Sequence, residues 1–217
     1  NKASMGVYMF TWEKLRLYLL DDEANEASGN DFGHDLIPAM HEAHERLFAF
    51  PFDGYWKDVG TIDSLWEANL DLLNPNVDLD LSDPDWKIYS RNPVAPPHYV
   101  SPDATVQNSL ISEGGLIEGS VAFSVLFANV SIEKGAVVRD SILMPGTVVK
   151  KGAVVQYAIV AENAVIEENA VVGERPEDME NLSDWGVAVV GANVCIGAGT
   201  RVAPKAMVDE DLPEVTV

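Results

Sequence analysis

The sequence predicts a short α/β part followed by a parallel β-helix of hexapeptide repeats. Between residues 100 and 208, aliphatic residues recur at every sixth position, whereas helices repeat every 3.6 residues and strands every two. Gly and Asn, which tolerate the positive φ of sharp corners, fall between them. Turns six residues apart are too close for a β-sandwich, so a three-sided solenoid is predicted over residues 100–217.

Four aliphatic rows define the predicted faces of this β-helix. The rows are Leu126, Ile132, Val138 and Met144; Val148, Val154, Val160 and Ile166; Ile159, Val165 and Val171; and Val190, Ile196, Val202 and Val208. The predicted corners are Gly135, Gly146, Gly152, Asn163, Asn169, Gly197 and Gly199. An acidic insertion at residues 173–186 interrupts the repeat and is predicted to loop out from one face.

Residues 1–75 alternate between predicted strands and helices. Strands are predicted over residues 1–10 and 48–52 and at the start of residues 55–60. Three helices are predicted: one capped by Thr11, one over residues 35–46 and one capped by Thr61. About 75 residues is small for a domain with its own core, so this part is expected to be half of a larger sheet.

Residues 76–99 form the predicted linker between the two parts. Its first half is rich in Asn, Pro and Asp, Trp86–Tyr89 is a candidate strand, and its end is Pro-rich and extended. Arg91 is a candidate contact for an anion.

Charge and cysteine content exclude several classes of function. The chain has 35 acidic and 14 basic residues, a net charge of −21, which argues against nucleic-acid and anionic-membrane partners. No apolar run approaches the roughly 18 residues of a membrane span. The lone Cys195 suits a reducing compartment, so a cytoplasmic location is expected, and the thiol is expected to be a small buried apolar group.

Four residues of the α/β part are candidates for chemistry. Asp58 precedes the third predicted helix, where it could hold Mg²⁺ together with substrate phosphate oxygens or merely order the turn. Trp56 could stack on a sugar or belong to the core. Asp31 could bind sugar hydroxyls or cap the second helix. Ser4 offers a single hydroxyl. The spacing of His34, His41 and His44 is only a weak indication of a metal site. A solvent-exposed helix face is the favoured interpretation of these three histidines.

Four segments carry a resemblance to a known family. Residues 3–8 (ASMGVY), 31–38 (DFGHDLIP), 55–61 (YWKDVGT) and 66–72 (WEANLDL) precede the hexapeptide repeats in that order. The chain thereby closely resembles the C-terminal part of bacterial glucose-1-phosphate adenylyltransferase, although W-x-D-V-G-T also occurs in other sugar nucleotidyltransferases. The resemblance implies the second half of a Rossmann-like nucleotidyltransferase domain, then an all-β left-handed parallel β-helix.

The resemblance also implies a reaction and a site. Glucose 1-phosphate would attack the α-phosphorus of ATP, giving ADP-glucose for glycogen synthesis and pyrophosphate. Asp58 would be one of two carboxylates that hold Mg²⁺, while Ser4 and Asp31 would contact glucose 1-phosphate. Trp56 would line the same pocket, with Tyr8 a weaker candidate. Family members are typically homotetramers under allosteric control.

The family's Gly-rich nucleotide loop, adenine pocket, second metal carboxylate and Glu-Lys pair have no counterpart in the sequence. The chain is therefore expected to be a fragment that lacks the ATP-binding half and is inactive alone. Two alternatives stay open: a non-catalytic regulatory subunit, and an enzyme for another sugar or nucleotide. A hexapeptide acyltransferase is less favoured, because these enzymes commonly use a His on a coil and residues 100–217 contain none.

Overall fold

The chain divides into two compact units, Asn1–Asp58 and Val59–Val217. A computed structural model describes residues 3–91 and 93–215. None of the helices within these ranges is long and apolar enough to cross a membrane. The predicted boundaries at residues 75 and 100 stay predictions.

The second unit contains the predicted parallel β-helix, which the structure confirms. Three six-stranded parallel sheets form its faces. Sheet A consists of β1 (Tyr99–Val100), β4 (Leu116–Ile117), β7 (Ser131–Ile132), β10 (Val148–Val149), β13 (Val165–Ile166) and β16 (Cys195–Ile196). Sheet B consists of β2 (Thr105–Gln107), β5 (Ser120–Ala122), β8 (Val137–Arg139), β11 (Val154–Gln156), β14 (Val171–Val172) and β17 (Arg201–Val202). Sheet C consists of β3 (Leu110–Ile111), β6 (Val125–Leu126), β9 (Ile142–Leu143), β12 (Ala158–Val160), β15 (Ala188–Val190) and β18 (Met207–Val208).

The strict period of six is wrong at the corner between sheets B and C in several coils. Val154 pairs with Val137 and Val171, 17 residues away on either side, so a full coil there is one residue shorter than three hexapeptides. The missing residue is lost between sheets B and C, because Val138 and Leu143 are the fully buried residues on either side of that corner. Met144, which belongs to the same aliphatic row as Leu126, Ile132 and Val138, is only partly buried.

This tight corner has a distinctive backbone. Phe123, Asp140 and Tyr157 occupy it in successive coils with φ of 48°, 47° and 47°, a left-handed conformation that is unfavourable for most residues with a side chain. The residue after Asp140 is the buried Ser141, whose hydroxyl donates to the Arg139 carbonyl and accepts from the Ala158 N–H. These hydrogen bonds stabilise the corner. The predicted corner residues elsewhere have positive φ, with one exception.

The exception is Gly197, whose φ is not in the left-handed region. A Cβ at this position would lie 2.3 Å from the Glu214 backbone nitrogen. Glycine is required there because the C-terminal segment, in which Leu212 bridges to Ile196, passes directly over it.

The insertion loops out as predicted. It contains two short 3₁₀ turns, Pro176–Asp178 and Leu182–Asp184. Ala158 pairs with Ala188, 30 residues on, so the register between β12 and β15 resumes after the insertion without breaking the sheet.

One helix of the second unit packs on the outside of sheet C. Helix α3 (Ile62–Asp71) begins at its predicted cap, where the Thr61 hydroxyl accepts from the Ser64 N–H. Its apolar face covers the outward side of the sheet. The residues of this contact are Ile62, Leu65 and Trp66 on the helix side and Ile142, Met144, Ile159 and Val187 on the sheet side.

The regular structure in the described residues of the first unit consists of helices. Helix α1 (Trp12–Glu23) is followed by a π-helical turn (Phe32–Leu36) and helix α2 (Ile37–Glu42). The structure does not form the strands that were predicted within residues 3–10, 48–52 and 55–60 and at Trp86–Tyr89. A strand is stabilised by a neighbouring strand that pairs its backbone groups, and the described residues 3–58 contain no strand. Their apolar side chains are accordingly exposed, Met9 at 99% and Phe48 at 89%. Residues 1 and 2 of the first candidate lie outside the described residues.

Replacing Asp140 with Asn is expected to stabilise the second unit at neutral pH. Burial raises the pKa of the Asp140 carboxyl; Arg139 and Arg175 oppose this effect and Glu177 adds to it. The wild type therefore loses stability as pH rises through the unfolded and then the folded pKa. The Asn variant escapes that loss, and Asn tolerates positive φ.

Urea unfolding at pH 7 and pH 3 measures the effect. The stability gain of Asp140→Asn should be present at pH 7 and vanish at pH 3, where the carboxyl is protonated in both states. Asp85→Asn, which changes an exposed residue, is the control and should have no such pH-dependent effect. An equal gain at both pH values would contradict the electrostatic account.

Candidate functional site

The first candidate segment is folded into a turn that joins two hydroxyls. Gly6 has a φ of 71°, and its N–H donates to the Ser4 hydroxyl at 3.2 Å. The Ser4 and Tyr8 hydroxyls are hydrogen-bonded to each other at 2.9 Å. The structure thus brings together Ser4, which the resemblance assigns to glucose 1-phosphate, and Tyr8, the weaker candidate for the same site.

An aromatic cluster connects this turn to the second candidate segment. The Tyr8 ring stacks on Phe32 with centroids 5.7 Å apart and planes 16° apart. Phe10 lies 5.8 Å from Phe32 and 6.0 Å from Tyr8. Sequence reasoning did not single out Phe10 and Phe32, although the i, i+2 spacing of Tyr8 and Phe10 was a signal that both rings share one side of an extended segment. Because Asp31 directly precedes Phe32, the cluster places both segments in one region.

Asp31 caps the π-helical turn, which confirms the capping alternative. One carboxylate oxygen, Oδ1, accepts from the Gly33 N–H at 2.7 Å and the His34 N–H at 2.8 Å. These backbone donors, first that of His34, lower the pKa of the Asp31 carboxyl. The side chain is exposed and ionised at neutral pH, so capping leaves it able to accept hydrogen bonds from a ligand as well.

Trp56 and Asp58 lie on a segment without regular structure. Trp56 is 46% exposed, so its assignment to the core is wrong. Asp58 is also exposed. Among the described residues no group of three or more His, Cys, Asp or Glu side chains could hold a metal ion. Since Mg²⁺ is commonly bound by one or two carboxylates plus phosphate oxygens, Asp58 could be one of the two carboxylates that the resemblance implies.

The histidines and the cysteine differ in their exposure to solvent. His34, His41 and His44 are exposed, as predicted. Cys195 was predicted to be buried, but it lies on the outer face of sheet A and is only partly buried. Burial, followed by the charges of Glu167 and Asp211, raises the pKa of its thiol. A raised pKa makes this thiol a poor nucleophile.

Comparisons with known proteins match both parts of the chain. Residues 1–75 match the nucleotidyl transferase family model, and residues 98–191 match the model for the GlmU-like C-terminal hexapeptide region. The glucose-1-phosphate adenylyltransferase of Desulforamulus reducens is 56% identical over 144 residues, 66% of this chain and 36% of that protein. The chain is homologous to glucose-1-phosphate adenylyltransferases. Those of Bacillus thuringiensis and Bacillus anthracis are 52% identical over 149 residues, 69% of this chain and 40% of each protein.

These matches confirm the resemblance that the four segments predicted. The GlmU-like hexapeptide match covers residues where the structure forms the β-helix. The nucleotidyl transferase match ends at residue 75 and so includes α3. The chain spans less than half of the length of the curated relatives it matches.

Proposed function

We propose that the protein containing this chain transfers the adenylyl group of ATP to glucose 1-phosphate, forming ADP-glucose and pyrophosphate. The cluster of Ser4, Tyr8, Asp31 and Phe32 carries this proposal. The Ser4 and Tyr8 hydroxyls are hydrogen-bonded to each other, the Tyr8 ring stacks on Phe32, and the ionised Asp31 directly precedes Phe32 in the chain. This combination suits a sugar phosphate, whose hydroxyls need acceptors and whose ring packs against an aromatic face.

Each residue has a distinct role in this proposal. The Ser4 and Tyr8 hydroxyls donate to oxygen atoms of glucose 1-phosphate. Asp31, held ionised by its two backbone donors, accepts from sugar hydroxyls, and Trp56 packs against the sugar. These contacts orient the phosphate oxygen for in-line attack on the α-phosphorus of ATP, and such positioning supplies much of the catalysis in phosphoryl-type transfer.

Asp58 would hold Mg²⁺, which neutralises charge on the phosphates when bound. A cation is needed because two phosphorylated substrates must bind a chain with a net charge of −21. We further propose a cytoplasmic protein and a homotetramer, in which the solenoid contributes to subunit contacts.

Pyrophosphate release by the protein as its source cell makes it tests the reaction. ATP with glucose 1-phosphate and Mg²⁺ should give pyrophosphate and ADP-glucose in equal amounts. GTP, UTP and other sugar 1-phosphates should react far more slowly. Preference for another nucleotide or sugar would favour a different nucleotidyltransferase. Absence of product with every pair would favour a regulatory subunit.

Asp31 permits a sharper test, because Asn also caps helical turns. Asp31→Asn should keep the fold but raise the KM for glucose 1-phosphate by about tenfold or more, since it replaces a charge-assisted hydrogen bond. Asp31→Ala should lose both the cap and the ligand contact. Steady-state kinetics with thermal unfolding of both variants separates the two effects. An unchanged KM for glucose 1-phosphate in Asp31→Asn would show that Asp31 caps the turn and does not bind the sugar.

A further inference from the structure

Tyr157 occupies a backbone conformation that suits it poorly. It lies at the tight corner between β11 and β12 with a φ of 47°. Asn and Gly adopt this region readily, whereas a bulky aromatic residue there is strained. Such strain persists only where surrounding contacts maintain it, and it often marks a functional element. Its ring contacts indicate why tyrosine stands at this corner.

The Tyr157 ring lies between two tryptophans from different parts of the second unit. Trp66 of α3 lies 5.9 Å from it at an interplanar angle of 38°. Trp185, at the end of the insertion, meets it edge-on at 5.3 Å and 79°. Both separations are within the range of favourable aromatic pairs. The ring therefore connects α3 to the insertion.

Both tryptophans are fixed by hydrogen bonds from their indole nitrogens. Trp66 Nε1 donates to the backbone carbonyl of Asp140 at 2.8 Å, one coil away from Tyr157 in the same row of corners. Trp185 Nε1 donates to the carbonyl of Glu174, at the opposite end of the insertion. The insertion is thus closed on itself by the residue that touches Tyr157.

Helix α3 is held less firmly on the β-helix than the coils of the β-helix are held on one another. The core of the β-helix consists of residues that are almost entirely excluded from solvent, such as Val155 and Val160. Helix α3 buries none of its residues completely, and its apolar side chains rest on the outside of sheet C. Elements with few fully buried contacts open locally before the rest of a structure.

We propose that the insertion at residues 173–186 is a latch that holds α3 on sheet C through the Tyr157 ring. Loss of the Trp185 contact releases α3 while the β-helix stays folded. Helix α3 lies within the nucleotidyl transferase match and directly follows the W-x-D-V-G-T motif. Through the latch, a change in the insertion therefore alters how firmly this end of the nucleotidyl transferase match is held on sheet C. The proposal concerns the folding equilibrium of α3 and does not depend on the proposed reaction.

Hydrogen exchange measured by mass spectrometry on the 217-residue chain tests the latch. In Trp185→Ala, the amides of α3 should exchange roughly three- to tenfold faster, as expected from the loss of one aromatic pair. Strands β9 and β12, beneath the helix, should keep their wild-type protection. Trp86→Ala, which removes an indole that is 81% exposed, is the matched control and should change neither region.

Tyr157→Asn distinguishes a latch from a general structural role. Asn removes the ring contacts and relieves the backbone strain, so the melting temperature of the β-helix should stay the same or rise while α3 exchanges faster. Trp185→Phe, which keeps a ring but loses the indole donor, should have a smaller effect than Trp185→Ala. Unchanged exchange of α3 in Tyr157→Asn, or an equal loss of protection in α3 and β12, would overturn the proposal.

Discussion

Replacing Leu143 with Ala is expected to lower the free energy of unfolding of the second unit by about 2–5 kcal/mol. Leu143 is fully buried and pairs in register with Leu126 and Val160, which are also fully buried. Its truncation leaves a cavity that neighbours in a close-packed coil cannot fill. Met144→Ala should cost less than half as much, because the Met144 side chain lies outside the coil and is only partly buried.

Urea unfolding of both variants measures this difference, and Leu143→Val provides a milder substitution if the Ala variant does not fold. The pair tests the shortened corner directly. If every coil had three equal hexapeptides, residue 144 would point inward and residue 143 outward. A larger loss for Met144→Ala than for Leu143→Ala would therefore contradict the observed register. Loss of 2–5 kcal/mol is a large part of the stability of a typical domain, which is about 5–15 kcal/mol.

The β-helix was predictable because its repeat is local in sequence. In the first aliphatic row, Leu126, Ile132 and Val138 all belong to the core of the β-helix. The slip by one residue was missed because the tight corner carries Phe123, Asp140 and Tyr157, which do not look like corner residues. A signal did exist: Ser109, Ser124 and Ser141 follow Asn108, Phe123 and Asp140 at spacings close to one coil. The hydroxyls of Ser109 and Ser124 accept from the backbone of the next coil, and such serines mark the corner.

The N-terminal part was less predictable because strands depend on partners. Alternating apolar residues such as Phe48 and Phe50 satisfy a strand pattern, yet both are highly exposed in the structure. The pattern predicts which side chains seek burial but cannot supply the neighbour that pairs the backbone. For α3 the cap at Thr61 was predicted correctly, whereas the surface on which the helix packs, the outside of sheet C, was not predicted.

The candidate site shows the same division between local and distant information. The capping role of Asp31 follows from donors two and three residues away, so it could be proposed from the sequence. The stacking of Tyr8 on Phe32 joins segments 24 residues apart, and no pattern within either segment indicates it. The roles of Trp56 and Asp58 depend on substrates and on Mg²⁺, and they remain proposals for the same physical reason.

If Asp58 holds Mg²⁺ as proposed, Asp58→Asn is expected to lower kcat for the proposed ADP-glucose formation by about 10²–10⁴-fold, because loss of a metal ligand removes several kcal/mol of charge stabilisation from the transition state. Asn is nearly the same size and Asp58 is exposed, so the fold should be retained. The Mg²⁺ concentration needed for half-maximal rate should also rise, since a neutral amide binds a hard cation more weakly than a carboxylate.

Steady-state kinetics at several Mg²⁺ concentrations, with the protein as its source cell makes it, measures both effects. Asp53→Asn is the matched control, because Asp53 is another exposed carboxylate five residues earlier in the chain and should affect neither kcat nor the Mg²⁺ requirement. A kcat in Asp58→Asn within a few-fold of wild type would remove Asp58 from the metal site. A reduced kcat with an unchanged Mg²⁺ requirement would instead indicate that Asp58 orients substrate without binding the ion. These outcomes differ because a metal ligand acts on the affinity for the ion, whereas an orienting residue acts only on the reacting groups.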